Sequence, residues 1–244
     1  MPARILLIRH GETEANAAGV LQGQSESALT ARGRAQANAL GVALRAKLHA
    51  LGQAVSPIIW TSDLSRAVDT AQAVVRNVDA ISSLRTDERL RERLLGPFQG
   101  ISTAECAARY PKAWAAFNRG ELDDGEPTAA LEPGAADAIE RVGAMQERCL
   151  AALNDVADAG PGATTLVVSH GGLVYTAVVA VRGEGDSSHV PHIGNVSVTT
   201  LQRSEGGTWQ VVQVGEVLVD DAATSASRNV DMAAATNATA RRVP

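Results

Sequence analysis

The chain has 244 residues, 45% of them hydrophobic and 20% charged, with a formal net charge of −5. This size and balance describe a soluble globular protein with room for a substantial core, as one domain or one domain with an insertion and a tail. With only 3% aromatic residues and no basic run longer than a pair, nucleic acid and anionic membrane are poor candidate partners, and neither is expected.

Residues 3–8 carry the apolar run Ile5-Leu6-Leu7-Ile8 and predict a buried first strand. Arg9-His10-Gly11-Glu12-Thr13 follows it directly, with the glycine reading as a tight turn. Thr30 is the expected N-cap of a long helix running to about His49. Pro57-Ile58-Ile59-Trp60 predicts a second strand. The stretch 63–78 predicts a helix with Ala67, Ala71 and Val74-Val75 on one face. Leu84-Arg85-Thr86 reads as a weak third strand, and 102–118 as a helix. A loop with acidic residues, glycine and prolines spans 121–133, and a long helix 134–158.

Residues 164–169 predict another strand, with a helix behind it over 171–181. Residues 195–201 and 208–219 predict a hairpin turning at Glu205-Gly206-Gly207. Residues 220–244, rich in Ala, Thr, Ser and Asn, read as a loosely ordered tail. The β-α alternation implies an α/β fold: a three-layer α/β/α sandwich around a mostly parallel sheet.

The second strand-terminal histidine, in Ser169-His170-Gly171-Gly172, stands in the same setting as His10. Open α/β sheets bind ligands at the carboxyl ends of their strands. Two histidines so placed, each followed by glycine, point to one pocket assembled from both ends of the chain. Phosphoryl transfer through a phosphohistidine is the chemistry that uses such a pair.

Five blocks occur in order: Arg9-His10-Gly11-Glu12-Thr13 with Asn16; Leu21-Gln22-Gly23 with Leu29-Thr30, Gly33 and Gln36-Ala37; Ser62-Asp63-Leu64-Ser65-Arg66-Ala67 with Thr70-Ala71; Leu90-Arg91-Glu92-Arg93 with Gly96 and Gly100; and Ser169-His170-Gly171-Gly172. From residue 4 to about 219 the sequence resembles the histidine phosphatase superfamily, in the phosphoglycerate mutase-like branch. The resemblance implies a phosphoglycerate mutase-like fold. It assigns residues 1–219 to one domain with a lid insertion around 100–135. It also implies a phosphohistidine formed on His10, with Glu92 as proton donor.

The residue types suit that chemistry. A phosphomonoester carries about two negative charges near neutral pH. Arg9 and Arg66 are planar, permanently charged forks for its oxygens. Asn16, His170 and Gly171 add donors, and Gln22 and Gly23 either contact substrate or shape the turn. His10 must attack through an unprotonated nitrogen, with a carbonyl holding its other N–H. Arg66 also suits a helix-surface arginine paired with Asp63 or Asp69. Glu88 and Glu105 rival Glu92, and Glu12 is a further carboxyl near the motif.

Three positions separate hydrolysis from mutation. In phosphoglycerate mutases a lysine follows the glutamate by eleven residues, and paired arginines follow a tryptophan in the next helix. Here Thr103 occupies the first place, and Ala115-Ala116 follow Trp114. Losing these cations weakens the grip on a bisphosphate intermediate, so water wins over rebinding. The expectation is a phosphatase acting on a small phosphomonoester without metal or other cofactor. The alternatives are a cofactor-dependent phosphoglycerate mutase and a non-catalytic phospholigand-binding protein. His49, His189 and His192 read as surface or loop residues. Cys106 and Cys149 read as free thiols of a reducing compartment. With no apolar stretch of membrane-spanning length and no room for a leader before the first strand, a cytoplasmic location is expected.

Overall fold

The computed structural model describes residues 2–118, 139–183 and 189–219. Among these, six strands form one sheet: β1 (Ala3–Arg9), β2 (Ile58–Thr61), β3 (Ser83–Thr86), β4 (Thr164–Ser169), β5 (Val198–Arg203) and β6 (Trp209–Glu216). Their spatial order is β3-β2-β4-β1-β5-β6. The first four in that order are mutually parallel, and β5 and β6 close the edge as an antiparallel hairpin.

The apolar runs are continuous because both sheet faces are covered. Alternation along each strand divides them. Ile5, Leu7 and Val167 face a cluster with Met145, Cys149, Leu153, Leu173 and Val178. These come from α6 (Val142–Ala159) and α7 (Gly171–Arg182). Leu6, Ile8, Leu166 and Val168 face the other way, onto Leu40, Leu44, Ala67 and Val74. Those belong to α2 (Ala31–Leu51) and α3 (Ser65–Val75). The three layers expected from sequence are therefore present.

This division also fixes where a ligand can enter. β1 and β4 are neighbours, yet the helices that follow them, α2 and α7, cover opposite faces of the sheet. Such a reversal opens a crevice at the carboxyl ends of the two strands. Arg9 pairs with Ser169 in the parallel register, so His10 and His170 leave the sheet at the same level.

Several predicted boundaries shift, each for a local reason. The stretch 102–118 forms two helices, α4 (Thr103–Arg109) and α5 (Pro111–Asn118), preceded in the chain by the short α1 (Glu14–Ala17). Tyr110 leaves helical geometry at φ −132° and ψ 54°, as a residue before proline is steered to do, and Pro111 then opens the second helix. The helix expected from 134 to 158 starts at Val142 among the described residues. Ile139 is bridged to Leu95, and Glu140 N–H donates to Leu94 O at 2.9 Å, so these residues are drawn into an extended pairing instead. α3 begins at Ser65, not Asp63, whose carboxylate is turned toward Arg91. Asn195 precedes β5 in a turn closed by Ser197 N–H to Gly194 O at 3.2 Å. The loop 121–133, residues 134–138 and the tail from 220 lie outside the described residues.

A third cluster gathers Leu21, Leu95, Phe98, Cys106, Ala113 and Phe117 above the crevice. Phe98 meets Tyr110, Trp114 and Phe117 edge-on, and Trp114 stacks on Phe117. Most of the few aromatics in the chain are thus spent on this roof. Both cysteines are free and buried; burial pushes the Cys106 thiol up to about 11 and that of Cys149 to about 12. Among the described residues no helix is long and apolar enough to cross a membrane.

Candidate active site

The crevice holds a pocket lined by Arg9, His10, Asn16, Gln22, Gly23, Arg66, Glu92 and Gly171, together with Val20, Leu21, Leu95, Gly172, Tyr175 and Ile193. Of the site residues expected from the sequence, only His170 is not part of the lining. It is fully buried beside it, with its ring centroid 5.2 Å from that of His10.

His10 is fixed by its own turn. Its N–H donates to Ser169 O at 2.9 Å, which ties the turn to β4. Its Nδ1 lies 2.7 Å from Gly11 O. A carbonyl only accepts, so the proton sits on Nδ1 and the Nε2 lone pair is left for chemistry. Burial, then the charges of Arg66 and Arg9, hold the ring well below the usual histidine pKa, so it is neutral near pH 7.

The turn is locked from three sides. Gly11 N–H donates to Thr70 Oγ1 on α3 at 3.1 Å, and Glu12 N–H to Gln36 Oε1 on α2 at 2.9 Å. A Cβ on Gly33 would run into the Glu12 backbone, so glycine is what lets α2 approach. From the other side, Asn195 Nδ2 donates to His10 O at 2.9 Å and Val196 N–H to Arg9 O at 3.0 Å. Val196 is held at φ 54°, an outlier for a β-branched residue and a form of strain that collects at functional sites.

Arg66 is 1% exposed, so the alternative of a helix-surface arginine does not hold. Asp63 pairs instead with Arg91. The Arg66 guanidinium donates to Gly23 O at 2.7 Å, Ser25 O at 2.8 Å and His170 Nδ1 at 3.2 Å. These bonds use three of its five N–H groups and leave two. Burial brings its pKa down to about 10, with the Glu92 and Glu26 charges opposing the fall, so it remains cationic at neutral pH. Arg9 is anchored by a 2.6 Å bond from one terminal nitrogen to Ile193 O.

His170 accepts at Nδ1, so in its neutral form the proton is on Nε2. That nitrogen is buried and has no hydrogen-bond partner. A buried donor left in this state beside a pocket is explained by a ligand acceptor. Burial and the charges of Arg66, His10, Arg9 and Arg148 push its pKa well below 6.5.

Glu92 is held at the N-terminus of α7. Its carboxyl accepts from Gly172 N–H at 2.9 Å and from Arg93 N–H at 2.8 Å. Its rivals are accounted for elsewhere. Glu12 receives Thr30 and Arg32, Glu105 caps α4 and pairs with Arg109, and Glu88 is not part of the lining. Asn16 Oδ1 accepts from Thr13 N–H at 3.3 Å and Asn195 Nδ2 at 3.4 Å, which turns the amide nitrogen outward as a donor. Gln22 Oε1 accepts from Thr13 Oγ1 at 3.1 Å, so Gln22 both shapes the turn and lines the pocket. Among the described residues no group of three His, Cys, Asp or Glu side chains could hold a metal ion.

Sequence reasoning missed Tyr175, Ile193 and Asn195. Tyr175 stands four residues after Gly171 on α7 and so shares its face, a signal that was available. Ile193 and Asn195 belong to an irregular turn whose role comes only from its packing against β1.

The family model of the histidine phosphatase superfamily (branch 1) matches residues 5–217. The chain belongs to that superfamily. This histidine phosphatase is 32% identical over 217 residues to phosphoglycerate mutase-like protein 4 of Arabidopsis thaliana, covering 88% of this chain and 86% of that protein. It is 34% identical over 186 residues to the metal-independent phosphoserine phosphatase of the same plant, covering 74% and 71%. A mycobacterial glucosyl-3-phosphoglycerate phosphatase, solved as a complex with VO3, matches it with a TM-score of 0.67 at 26% identity, covering 88% of this chain and 99% of that one.

Proposed function

We propose that this histidine phosphatase hydrolyses a small phosphomonoester, without metal, through a phosphohistidine on His10. The observation that carries the reading is the state of His10: neutral, with Nδ1 tied to Gly11 O and Nε2 available in a pocket lined by two guanidinium groups. Relatives named as a metal-independent phosphoserine phosphatase and a glucosyl-3-phosphoglycerate phosphatase support it.

The steps follow from these groups. Arg9, the two spare N–H groups of Arg66, Asn16 Nδ2 and His170 Nε2 bind the phosphoryl oxygens. As the ester bond stretches, they stabilise the charge on those oxygens. His10 Nε2 forms a bond to phosphorus while the bond to the leaving oxygen breaks, and Glu92 gives that oxygen a proton. The alcohol departs. Water then attacks phosphorus, Glu92 takes its proton, and the P–N bond breaks to release inorganic phosphate and neutral His10.

The lining also carries apolar groups, Val20, Leu21, Leu95 and Ile193, together with Tyr175. Among the described residues, Arg9 and Arg66 are the cations of the lining. A second phosphate on the substrate has no matching charge among them, which favours hydrolysis of monoesters over retention of a bisphosphate. The test is an acid quench during turnover with labelled substrate. A protein-bound phosphoryl group stable to alkali and lost in acid is expected, and it disappears in His10→Ala together with turnover. A His10→Ala protein of near-normal activity would overturn the mechanism.

A further inference from the structure

Glu92 sits on a segment without regular structure. A short 3-10 turn, Glu88–Leu90, ends at Arg91, and residues 91–95 lie in neither helix nor strand. A buried backbone of this kind must find partners for its carbonyls outside any ladder. Ser169 Oγ donates to Leu90 O at 2.7 Å. One side chain of α6 serves most of the rest. Arg148 Nη1 donates to Arg89 O and Arg91 O at 2.7 Å each, and its Nη2 to Glu92 O at 3.1 Å.

The same guanidinium is held from behind. Its Nε and Nη2 donate to the two oxygens of Glu140 at 2.5 and 2.8 Å. Glu140 is also tied to the segment: its Oε2 accepts from Leu94 N–H at 3.2 Å, and its backbone oxygen from Arg93 Nε at 2.7 Å. A planar fork aimed at three carbonyls and braced by a carboxylate defines both position and angle, which a single ammonium does not.

We propose that Arg148, braced by Glu140, is a positioning residue for the general acid: it sets the backbone from which the Glu92 carboxyl reaches the leaving oxygen. The inference rests on Glu92 being that acid. Arg148 is not part of the pocket lining and touches Glu92 only at its main-chain oxygen, and its charge, which also acts on His170, is kept in Arg148→Lys.

Proton donation matters most for a poor leaving group, so the readout is the leaving-group dependence of the phosphorylation rate. Single-turnover phosphorylation is measured for an alkyl phosphate and for p-nitrophenyl phosphate in the intact enzyme, Arg148→Met, Arg148→Lys, Glu92→Gln and the double variant Arg148→Met/Glu92→Gln. A displaced acid is expected to cost the alkyl ester about 10- to 100-fold in Arg148→Met while p-nitrophenyl phosphate changes little. Arg148→Lys should fall between, since its ammonium keeps the charge but cannot span three carbonyls. The double variant should be no slower on the alkyl ester than Glu92→Gln, because one lesion acts through the other. Inhibition by inorganic phosphate should be unchanged in Arg148→Met and Arg148→Lys, which separates positioning from general loss of structure.

Equal losses on both esters, or multiplying effects in the double variant, overturn the proposal. Should Arg148→Met not fold, the same comparison is read from Arg148→Lys: a loss on the alkyl ester alone supports the proposal, and equal loss on both overturns it. A flat Glu92→Gln, by contrast, removes the acid assignment itself.

Discussion

Arg66 Nε donates to His170 Nδ1 at 3.2 Å, and this one bond sets the tautomer of a second pocket histidine. The proton is thereby placed on Nε2, the buried nitrogen without a partner. One arginine therefore contributes its own two spare N–H groups and orients a further donor. Arg66→Lys keeps a charge but loses the fork, the bond to His170 and the hold on the Gly23 and Ser25 carbonyls. Each charge-assisted hydrogen bond that disappears is worth about 1.5–3 kcal/mol, or roughly 10- to 100-fold in rate. A fall in kcat/KM of at least that size is expected in steady-state assays, with weaker inhibition by vanadate. Near-normal values for both would show that the fork is dispensable.

The two histidines also give stability a definite pH dependence. Both are buried and held well below the usual histidine pKa by desolvation and by the Arg66 charge. In the unfolded chain they take up protons below about pH 6.5. In the folded protein they stay neutral until much lower pH. The unfolded state thus binds more protons in this window, and stability falls as pH drops below about 6.5. The slope is up to about 1.4 kcal/mol per pH unit for each histidine. Denaturant unfolding from about pH 7.5 down to pH 5 checks this. His170→Asn should have a shallower slope than the intact protein; an identical slope would remove His170 from the account.

Much of this candidate site could be read from the chain, and the reason is physical. Arg9, His10, Arg66, His170 and Glu92 sit at or near the carboxyl ends of strands, where a short apolar run followed by a polar residue and a turn announces the place. The three layers follow from Ile5-Leu6-Leu7-Ile8, a run that only a strand covered on both faces would carry. The turn at Asn195 and Val196, and the reach of Arg148 to the 89–92 carbonyls, were not legible. Both act on backbone atoms far away in sequence, and backbone atoms leave no mark in residue type. The split of 102–118 at Tyr110-Pro111 was legible from the proline alone.

Thr70 offers a test of how firmly the turn of His10, the proposed nucleophile, must be held. Its hydroxyl accepts from Gly11 N–H at 3.1 Å and donates to Arg66 O at 2.7 Å. Thr70→Val keeps the shape and removes both bonds, leaving a buried amide without an acceptor. A loss of about 1–3 kcal/mol of stability is expected, measured as a lower denaturation midpoint. Because the amide belongs to the residue beside His10, the phosphorylation rate should fall as well. A stability loss without any kinetic change would mean that the turn is held sufficiently by Gln36 and Asn195.

Hydrolysis should prevail over mutation. Among the described residues, Arg9 and Arg66 supply the positive charge of the lining, while Thr103, Ala115 and Ala116 are uncharged. Incubation with 3-phosphoglycerate should therefore release inorganic phosphate faster than it forms 2-phosphoglycerate, even when primed with bisphosphoglycerate. Efficient isomerisation would reverse the reading.

Gly172 separates Glu92, the proposed acid, from the helix with very little space. A Cβ at this position would press into the Glu92 carboxyl, which accepts from the Gly172 amide at 2.9 Å. Two effects of Gly172→Ala then oppose each other. Alanine is favoured over glycine in a helix by about 0.8–1.0 kcal/mol, which stabilises α7 at its second residue. The methyl group displaces the carboxylate, and the carboxylate in turn gives up the hydrogen bond that points it into the pocket. Because Glu92 lies on irregular backbone while Gly172 lies on a packed helix, the carboxylate is the partner that moves. Thermal stability is therefore expected to change by no more than about 1 kcal/mol in either direction. The acid should be misaligned all the same. Hydrolysis of alkyl phosphates should fall by about 10²-fold or more, while p-nitrophenyl phosphate, whose leaving group needs little protonation, keeps most of its rate. Measuring kcat/KM for both esters alongside the melting temperature decides the matter. Were Gly172→Ala to lose both activities equally while remaining folded, the amide of Gly172 would be acting on the phosphoryl group itself, not through Glu92.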